Sequence, residues 1–167
     1  MSPSKSYFKV AVLSLLDNKS LANDESGKYI RSAVRYSHCL LEHQCVKDDV
    51  YQMRAVLSRW IANSKINVII TIGGTGFGQS DITAEAIEPL LDKKICGFGD
   101  LFRQISYQKI GSTTIQSRSM AGFSNDTIIF CIPGSLNACK TAWEDIICEQ
   151  LNENNKACNF FRQLSLA

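Results

Sequence analysis

Residues 67–81 read NVIITIGGTGFGQSD: a run of β-branched apolar side chains that stops on two glycines, then a polar glycine loop closed by an aspartate. NVIITI (67–72) is too short to carry a helical period and predicts a strand buried on both faces. The loop after it can be sorted by its glycines. A dinucleotide fingerprint needs G-x-G-x-x-G, but from Gly74 or Gly76 the third glycine falls on Gln79 or Asp81, and from Gly73 the pattern fails at Thr75. A P-loop needs G-x-x-x-x-G-K-[ST], and Gly73 through Ser80 matches it except that Gln79 stands where the phosphate-binding lysine belongs. What remains is Gly73, Gly74, Thr75 and Gly76 at a strand end, where backbone amides can converge on an anion without Cβ obstruction.

Asp81 opens the predicted helix DITAEAIEPLLDKK, which Pro89 limits or kinks. A carboxylate repels phosphate, so two readings stay open. Either Asp81 (or Thr83) caps the helix, worth about 1 kcal/mol, or Asp81 holds a divalent cation that lies between it and a phosphate.

Working outward, FKVAVLSLL (8–16) and TIIFCI (127–132) predict two more buried strands, and a short strand is expected around Cys45 and Val46. Ile30, Ala33, Val34, Ser37 and Leu41 recur with helical spacing from a start near Ser26. Asp48 and Asp49 open a second helix carrying Val50, Met53, Val56, Leu57, Trp60 and Ile61. Phe98, Leu101, Phe102 and Ile105 mark another helix, and LNACKTAWEDIICEQL (136–151) a long last one, entered through Pro133, Gly134 and Ser135. Strands alternating with helices predict a three-layer, doubly wound α/β fold: a mostly parallel sheet with helices on both faces, forming one domain over 1–167 with its core at about 8–160. Ligands of such sheets bind beyond the carboxyl ends of the strands, so loops 17–27, 73–81 and 133–137 are expected to converge there.

Composition narrows the classes. The 167 residues are 45% hydrophobic and 20% charged with net charge +2, and the lysines and arginines are scattered, which argues against nucleic acid as a partner. The first apolar run is cut by Asp17, and no other approaches the ~20 residues of a membrane span, so a cytoplasmic protein without membrane contact is expected. Seven cysteines without a C-x-x-C pair predict buried small hydrophobes rather than disulfides or a zinc knuckle. His38 and His43, five apart, are read as surface residues on different helix faces.

Three separated segments, TIGGTGFGQSDITAEAI, GFGDLFRQISYQKIGSTTIQSRSMAG and IPGSLNACKTAWEDII, closely resemble in order the molybdopterin-binding domain of the molybdenum cofactor biosynthesis proteins MoaB and MogA. The similarity runs from about residue 8 to 160, and its ending ACNF is nearer the MoaB type. The resemblance implies a MogA-like fold, a homo-oligomer (trimer or hexamer), molybdopterin as ligand, contact with other proteins of the pathway, and adenylylation of the molybdopterin phosphate with Mg²⁺ and ATP. It implies Asp81 and Asp48, with Asp49 beside it, as the acids of catalysis and Mg²⁺ binding. Gly74, Thr75 and Gly76, Gly134 and Ser135, and the D-x-S-G element Asp24, Ser26 and Gly27 are implied as the ligand-binding loops. Ser117 and Arg118 fall in the Q-S-R segment, where the arginine has either a phosphate-binding or a structural role. Departures from the family pattern lie at Leu16, Asp17, Asn18 and Lys19, at Ser80, and at Leu136 and Asn137. They touch phosphate-facing loops, so a non-catalytic molybdopterin-binding or carrier protein is the alternative.

Overall fold

The computed structural model describes residues 8–16, 23–154 and 158–165; Asp17, Asn18 and Lys19, and Ala157 of the ACNF ending, lie outside them. The elements run β1 (Lys9–Leu15), α1 (Glu25–Ser37), β2 (Cys39–Val46), α2 (Val50–Ile61), β3 (Val68–Ile72), α3 (Thr83–Ile87), β4 (Lys93–Lys94), α4 (Cys96–Ile110), β5 (Met120–Ser124), β6 (Thr127–Ile132), α5 (Leu136–Ala142), α6 (Cys148–Gln150) and α7 (Phe160–Ser165). A single 3₁₀ turn, Glu88–Leu90, follows α3 and carries Pro89, and a longer one, Gly111–Gln116, follows α4. A π turn, Trp143–Ile147, joins α5 to α6.

The strands form one sheet in the order β2-β1-β3-β6-β5-β4. The first four are mutually parallel, and β5 and β4 are added antiparallel to their neighbours. Alternation along the strands divides the core in two. Val10, Val12, Val68, Ile70, Ile128 and Phe130 meet α1, α4 and α5 through Ile30, Val34, Phe102 and Cys139. Ala11, Leu13, Ile69, Ile129 and Cys131 face the other way, onto Met53, Leu57 and Trp60 of α2 and Ala86 and Ile87 of α3. Strands covered on both faces must be apolar at every position, hence the unbroken runs in β3 and β6. Each fully buried aliphatic side chain contributes about 1.5–3 kcal/mol. The expected three-layer α/β architecture is therefore present.

Two local expectations are corrected. The first helix does not reach Leu41; it stops at Ser37, His38 turns to extended backbone, and β2 begins at Cys39, whose N–H donates to the Phe8 carbonyl at 2.9 Å. Strand pairing beside β1 outweighs the helical spacing of Leu41, which ends 39% exposed. The antiparallel β4–β5 flank was not expected at all. It arises because Asn125 and Asp126 adopt φ +46° and +63°, the two left-handed positions of a tight hairpin between β5 and β6. Gly122 lets β4 approach, since a Cβ there would lie 2.6 Å from the Lys93 carbonyl oxygen. Cysteines are also less uniformly buried than expected: Cys131 and Cys139 are in the core, while Cys39, Cys96 and Cys158 are exposed and all are free thiols. Burial pushes the Cys131 and Cys139 thiols up to about 12.

Candidate functional site

The chain leaves β1 outward to β2 and returns across β1 to β3, so the sheet has its switch point between β1 and β3. A cleft of about 470 Å³ opens beyond the carboxyl ends there. Its walls come from Leu15 and Leu16 at the end of β1, the start of α1, Asp48 after β2, the glycine loop after β3, and Gly134 after β6. The loops expected to converge do so among their described residues.

The glycines make this convergence possible. Gly73 and Gly74 hold φ +96° and +65°, and a Cβ on Gly74 would lie 2.2 Å from Leu15 Cδ2 and 2.6 Å from Thr83 Oγ1. Gly73 donates to the Ile132 carbonyl at 2.9 Å, and Thr83 Oγ1 returns a bond to the Gly73 carbonyl at 2.7 Å. A Cβ on Gly134 would stand 3.3 Å from the Gly73 Cα, so the loops after β3 and β6 meet through bare backbone.

Asp81 does not cap a helix, and neither does Thr83. The residue before α3 is Ile82, without a side-chain cap, and α3 is a five-residue helix. The Asp81 carboxylate instead folds back over its own loop: Gly78 N–H donates to Oδ2 at 2.8 Å, and a Cβ on Gly76 would lie 2.6 Å from that same oxygen. It lines the cleft with one oxygen held by the loop. The neighbouring acids divide their work. Asp49 caps α2 by accepting from Tyr51 and Gln52 N–H at 2.8 and 2.9 Å, and the exposed Asp48 carboxylate faces the cleft.

The D-x-S-G element is built into the frame. Asp24, 7% exposed, caps α1 by accepting from Gly27 N–H at 2.7 Å; Ser14 Oγ donates to its second oxygen at 2.9 Å and Arg31 pairs with it at 3.3 Å. A Cβ on Gly27 would fall 1.8 Å from that oxygen. Ser26 Oγ donates to the Gly134 carbonyl at 2.7 Å, tying α1 to the loop after β6. Arg118 likewise faces protein: it donates to the Gly76 and Asp81 carbonyls at 2.8 Å each and pairs with Glu85, clamping the glycine loop from behind. That contact holds the Glu85 carboxyl below the usual carboxylate range. Ser117 shares a hydrogen bond with Ser119 at 2.7 Å.

Three of the expected ligand-loop residues do not line this cleft: Gly27, packed against Asp24, and two that lie elsewhere. Gly76 and Ser135 line a second cavity of about 570 Å³, with Thr75 bordering both. Sequence reasoning missed Glu25, which brings another carboxylate to the first cleft from the first turn of α1. Asp24, Glu25, Asp48 and Asp81 thus line it, with no lysine or arginine among the described lining residues.

His43 is partly buried on β2 rather than on a helix surface, and its Nε2 lies 3.0 Å from Arg31 Nη1 and 3.6 Å from Cys45 Sγ. Asp24, His43 and Cys45 place ligand atoms within 4.8 Å of one another, but the Arg31 guanidinium, in contact with both Asp24 and His43, already supplies the cation. Burial first, then Arg31, lowers the His43 pKa from 6.5. The unfolded chain therefore binds the proton more readily, so His43 makes stability fall as pH drops through about 6.5 toward the lowered folded value. Urea midpoints at pH 7.5 and 5.5 are expected to differ more in the wild type than in His43→Gln; equal differences would exclude His43 as a source.

Comparisons with known proteins point to one family. The family model described as "Probable molybdopterin binding domain" matches residues 12–153. Molybdenum cofactor biosynthesis protein B of Escherichia coli K12 is 41% identical over 157 residues, covering 93% of this chain and 92% of the relative. The protein of the same name from Staphylococcus aureus Mu50 is 39% identical over 148 residues, covering 86% and 88%. A crystal structure of molybdenum cofactor biosynthesis protein B superposes with TM-score 0.88 at 29% identity, over 98% of this chain and 99% of that one. The tungsten cofactor synthesizing protein MoaB from Pyrococcus furiosus gives TM-score 0.81 at 31% identity with the same coverage. No helix among the described residues is long and apolar enough to cross a membrane. With its glycine loop, its paired loops at the switch point and these relatives, the chain belongs to the MoaB/MogA molybdopterin-binding domain family of molybdenum cofactor biosynthesis.

Proposed function

We propose that this chain binds molybdopterin and joins its terminal phosphate to the adenylyl group of ATP, with Mg²⁺ entering as part of the nucleotide substrate. The observation that carries the reading is the charge of the cleft: backbone at Gly74 and Gly134 beside Asp24, Glu25, Asp48 and Asp81, and no basic side chain among the described lining residues. A bare polyphosphate is repelled by such a wall, whereas a nucleotide carrying a hard divalent cation is attracted to it. The oxygen donors fit the ion. Asp48 and Asp81 would hold it, since Asp24 is occupied by Gly27, Ser14 and Arg31. There Mg²⁺ supplies charge neutralisation for the phosphates.

The chemistry asked of the protein is positioning. A molybdopterin phosphate oxygen forms a bond to the α-phosphorus of ATP, the bond from that phosphorus to the bridging oxygen breaks, and pyrophosphate leaves. No covalent nucleophile is required of the chain; the glycine loop, braced by Thr83 and Arg118, orients the phosphates, and convergent amides stabilise charge on them. The test is adenylyl transfer by the purified chain, read by the mass of adenylylated molybdopterin with and without Mg²⁺. Product that requires Mg²⁺ supports the reading; tight molybdopterin binding without product turns it into a binding or carrier protein of the same pathway. The chain is also proposed to work as a homo-oligomer, a trimer or a pair of trimers, because Leu101, Tyr107 and Ile115 leave apolar surface open along α4 and the turn after it. Light scattering at the monomer mass would exclude that assembly.

A further inference from the structure

β2 carries a histidine and a cysteine that the chemistry at the cleft does not use. Its pairing with β1 slips by one residue: Val10 and Ala11 pair with Leu40 and Glu42, which leaves Leu41 as the extra residue of a bulge. A slip of one residue exchanges the faces of a strand. Glu42 and Val46 accordingly turn to the α2 side, where Glu42 accepts from Trp60 Nε1 at 2.6 Å. His43 and Cys45, beside Val12 and Ser14, turn to the α1 side and meet Asp24, the buried residue that caps α1.

These three side chains form a donor set for one ion. One ligand atom from each lies within 4.8 Å of the other two. Cys45 Sγ is 3.6 Å from His43 Nε2, and a tetrahedral zinc ion, with Zn–S near 2.3 Å and Zn–N near 2.0 Å, separates such atoms by about 3.5 Å. The Asp24 oxygen, within 4.8 Å, has at most about 1.5 Å to close. The Arg31 guanidinium shows that a cation is drawn to this point, with Nη1 at 3.0 Å from His43 Nε2 and 3.3 Å from Asp24 Oδ2. Arginine only donates, so Nε2 accepts, and its lone pair already faces positive charge. The Arg31 side chain is 14% exposed, on the flank where β2 ends the sheet, and its flexible stem lets the head move out to water. A second cation, Arg35, stands one turn along α1, exposed, where water screens it.

We propose that Asp24, His43 and Cys45 form a site for a single Zn²⁺, which enters by displacing the Arg31 guanidinium. Imidazole, thiolate and carboxylate are ligands that zinc accepts together, and a thiolate selects zinc over Mg²⁺. The ion takes Asp24 Oδ2, His43 Nε2 and Cys45 Sγ, with water in the fourth position. The Cys45 thiol proton passes to solvent as the bond from sulfur to zinc forms. Asp24 Oδ1 keeps its bond from Gly27 N–H at 2.7 Å, so the cap of α1 survives the exchange. Bound there, zinc pins the edge strand β2 to the start of α1, whose Glu25 lines the cleft. The site uses neither Asp48 nor Asp81 and does not rest on the molybdopterin reading.

The experiment strips the full chain with a chelator, keeps it reduced, and titrates it with Zn²⁺ against a chromophoric zinc indicator, in excess Mg²⁺ so that all-oxygen sites are filled. One equivalent is expected to bind with Kd below about 10 μM. Cys45→Ser and His43→Gln should each weaken it by at least about thirtyfold. Co²⁺ in place of zinc should give the wild type the visible bands of a tetrahedral site and a near-ultraviolet thiolate-to-cobalt band, absent from Cys45→Ser. Arg31→Met removes the competing cation and is expected to bind zinc about tenfold more tightly. Its metal-free melting temperature should fall, because Asp24 loses its ion pair, and recover when zinc saturates the site. Melting curves check that each variant folds. Wild-type zinc affinity in either folded ligand variant places the ion on other groups and overturns the inference, as does a wild type that binds zinc more weakly than about 10 μM. Zinc affinity in Arg31→Met no higher than in the wild type overturns displacement of the guanidinium.

Discussion

Asp81→Asn is expected to leave the fold and the assembly of copies intact and to lower adenylyl transfer by about 10²- to 10³-fold. The amide oxygen of asparagine can still accept from Gly78 N–H, as Oδ2 does now at 2.8 Å, so the turn over Gly76 survives. What is lost is the negative charge facing the cleft. The acids that remain are Asp48, exposed, Glu25 on the first turn of α1, and Asp24, whose carboxylate is filled by Gly27, Ser14 and Arg31. The deficit should therefore appear as a raised Mg²⁺ requirement as well as a lowered rate, and both are read from one series of initial rates against Mg²⁺. A variant with wild-type turnover at every Mg²⁺ concentration would remove Asp81 from the chemistry.

Gly27→Ala is expected to be the most damaging small substitution in the frame. Its Cβ would arrive 1.8 Å from Asp24 Oδ2 and 2.7 Å from Oδ1, well inside van der Waals contact, so Asp24 must leave its place. With it go the cap of α1, the bond from Ser14 and the pair with Arg31. Loss of a cap costs about 1 kcal/mol, and a broken buried ion pair about 3–5 kcal/mol. For a chain of this size that predicts a fall in melting temperature on the order of 10 °C or more. The consequences reach the cleft as well, because Ser26, the residue beside Gly27, carries the bond to the Gly134 carbonyl. A melting curve within about 2 °C of the wild type would show that Asp24 is not essential to the frame.

How much of this was legible in the sequence follows from how each segment is buried. β3 and β6 are covered on both faces, so their apolar runs announce them with no competing pattern. β2 is only partly buried and mixes Glu42, His43 and Gln44 with apolar residues, which leaves its first half indistinguishable from a continued helix. β5 was hidden by Gly122 and its small neighbours, although Ser124-Asn125-Asp126-Thr127 carried the tight-turn signal that makes the hairpin. At the site, residue types pointed to the glycine loop and to Asp48 and Asp81, but not to directions. Whether Asp81 turned to a helix or to its own loop, which of Asp48 and Asp49 was the cap, and whether Arg118 faced a ligand or Gly76 all depend on backbone path.

The two-residue β4 bears on the behaviour of the protein at high concentration. Lys93 and Lys94 are both exposed, and beyond them the sheet ends. A neighbouring molecule seeking to extend the ladder there finds almost no unpaired backbone and a pair of like charges, the means by which natural β-proteins resist aggregation. Copies of this chain are thereby discouraged from joining sheet to sheet on that flank. On that side of the molecule association is left to helix surfaces, where side-chain shape determines how copies meet.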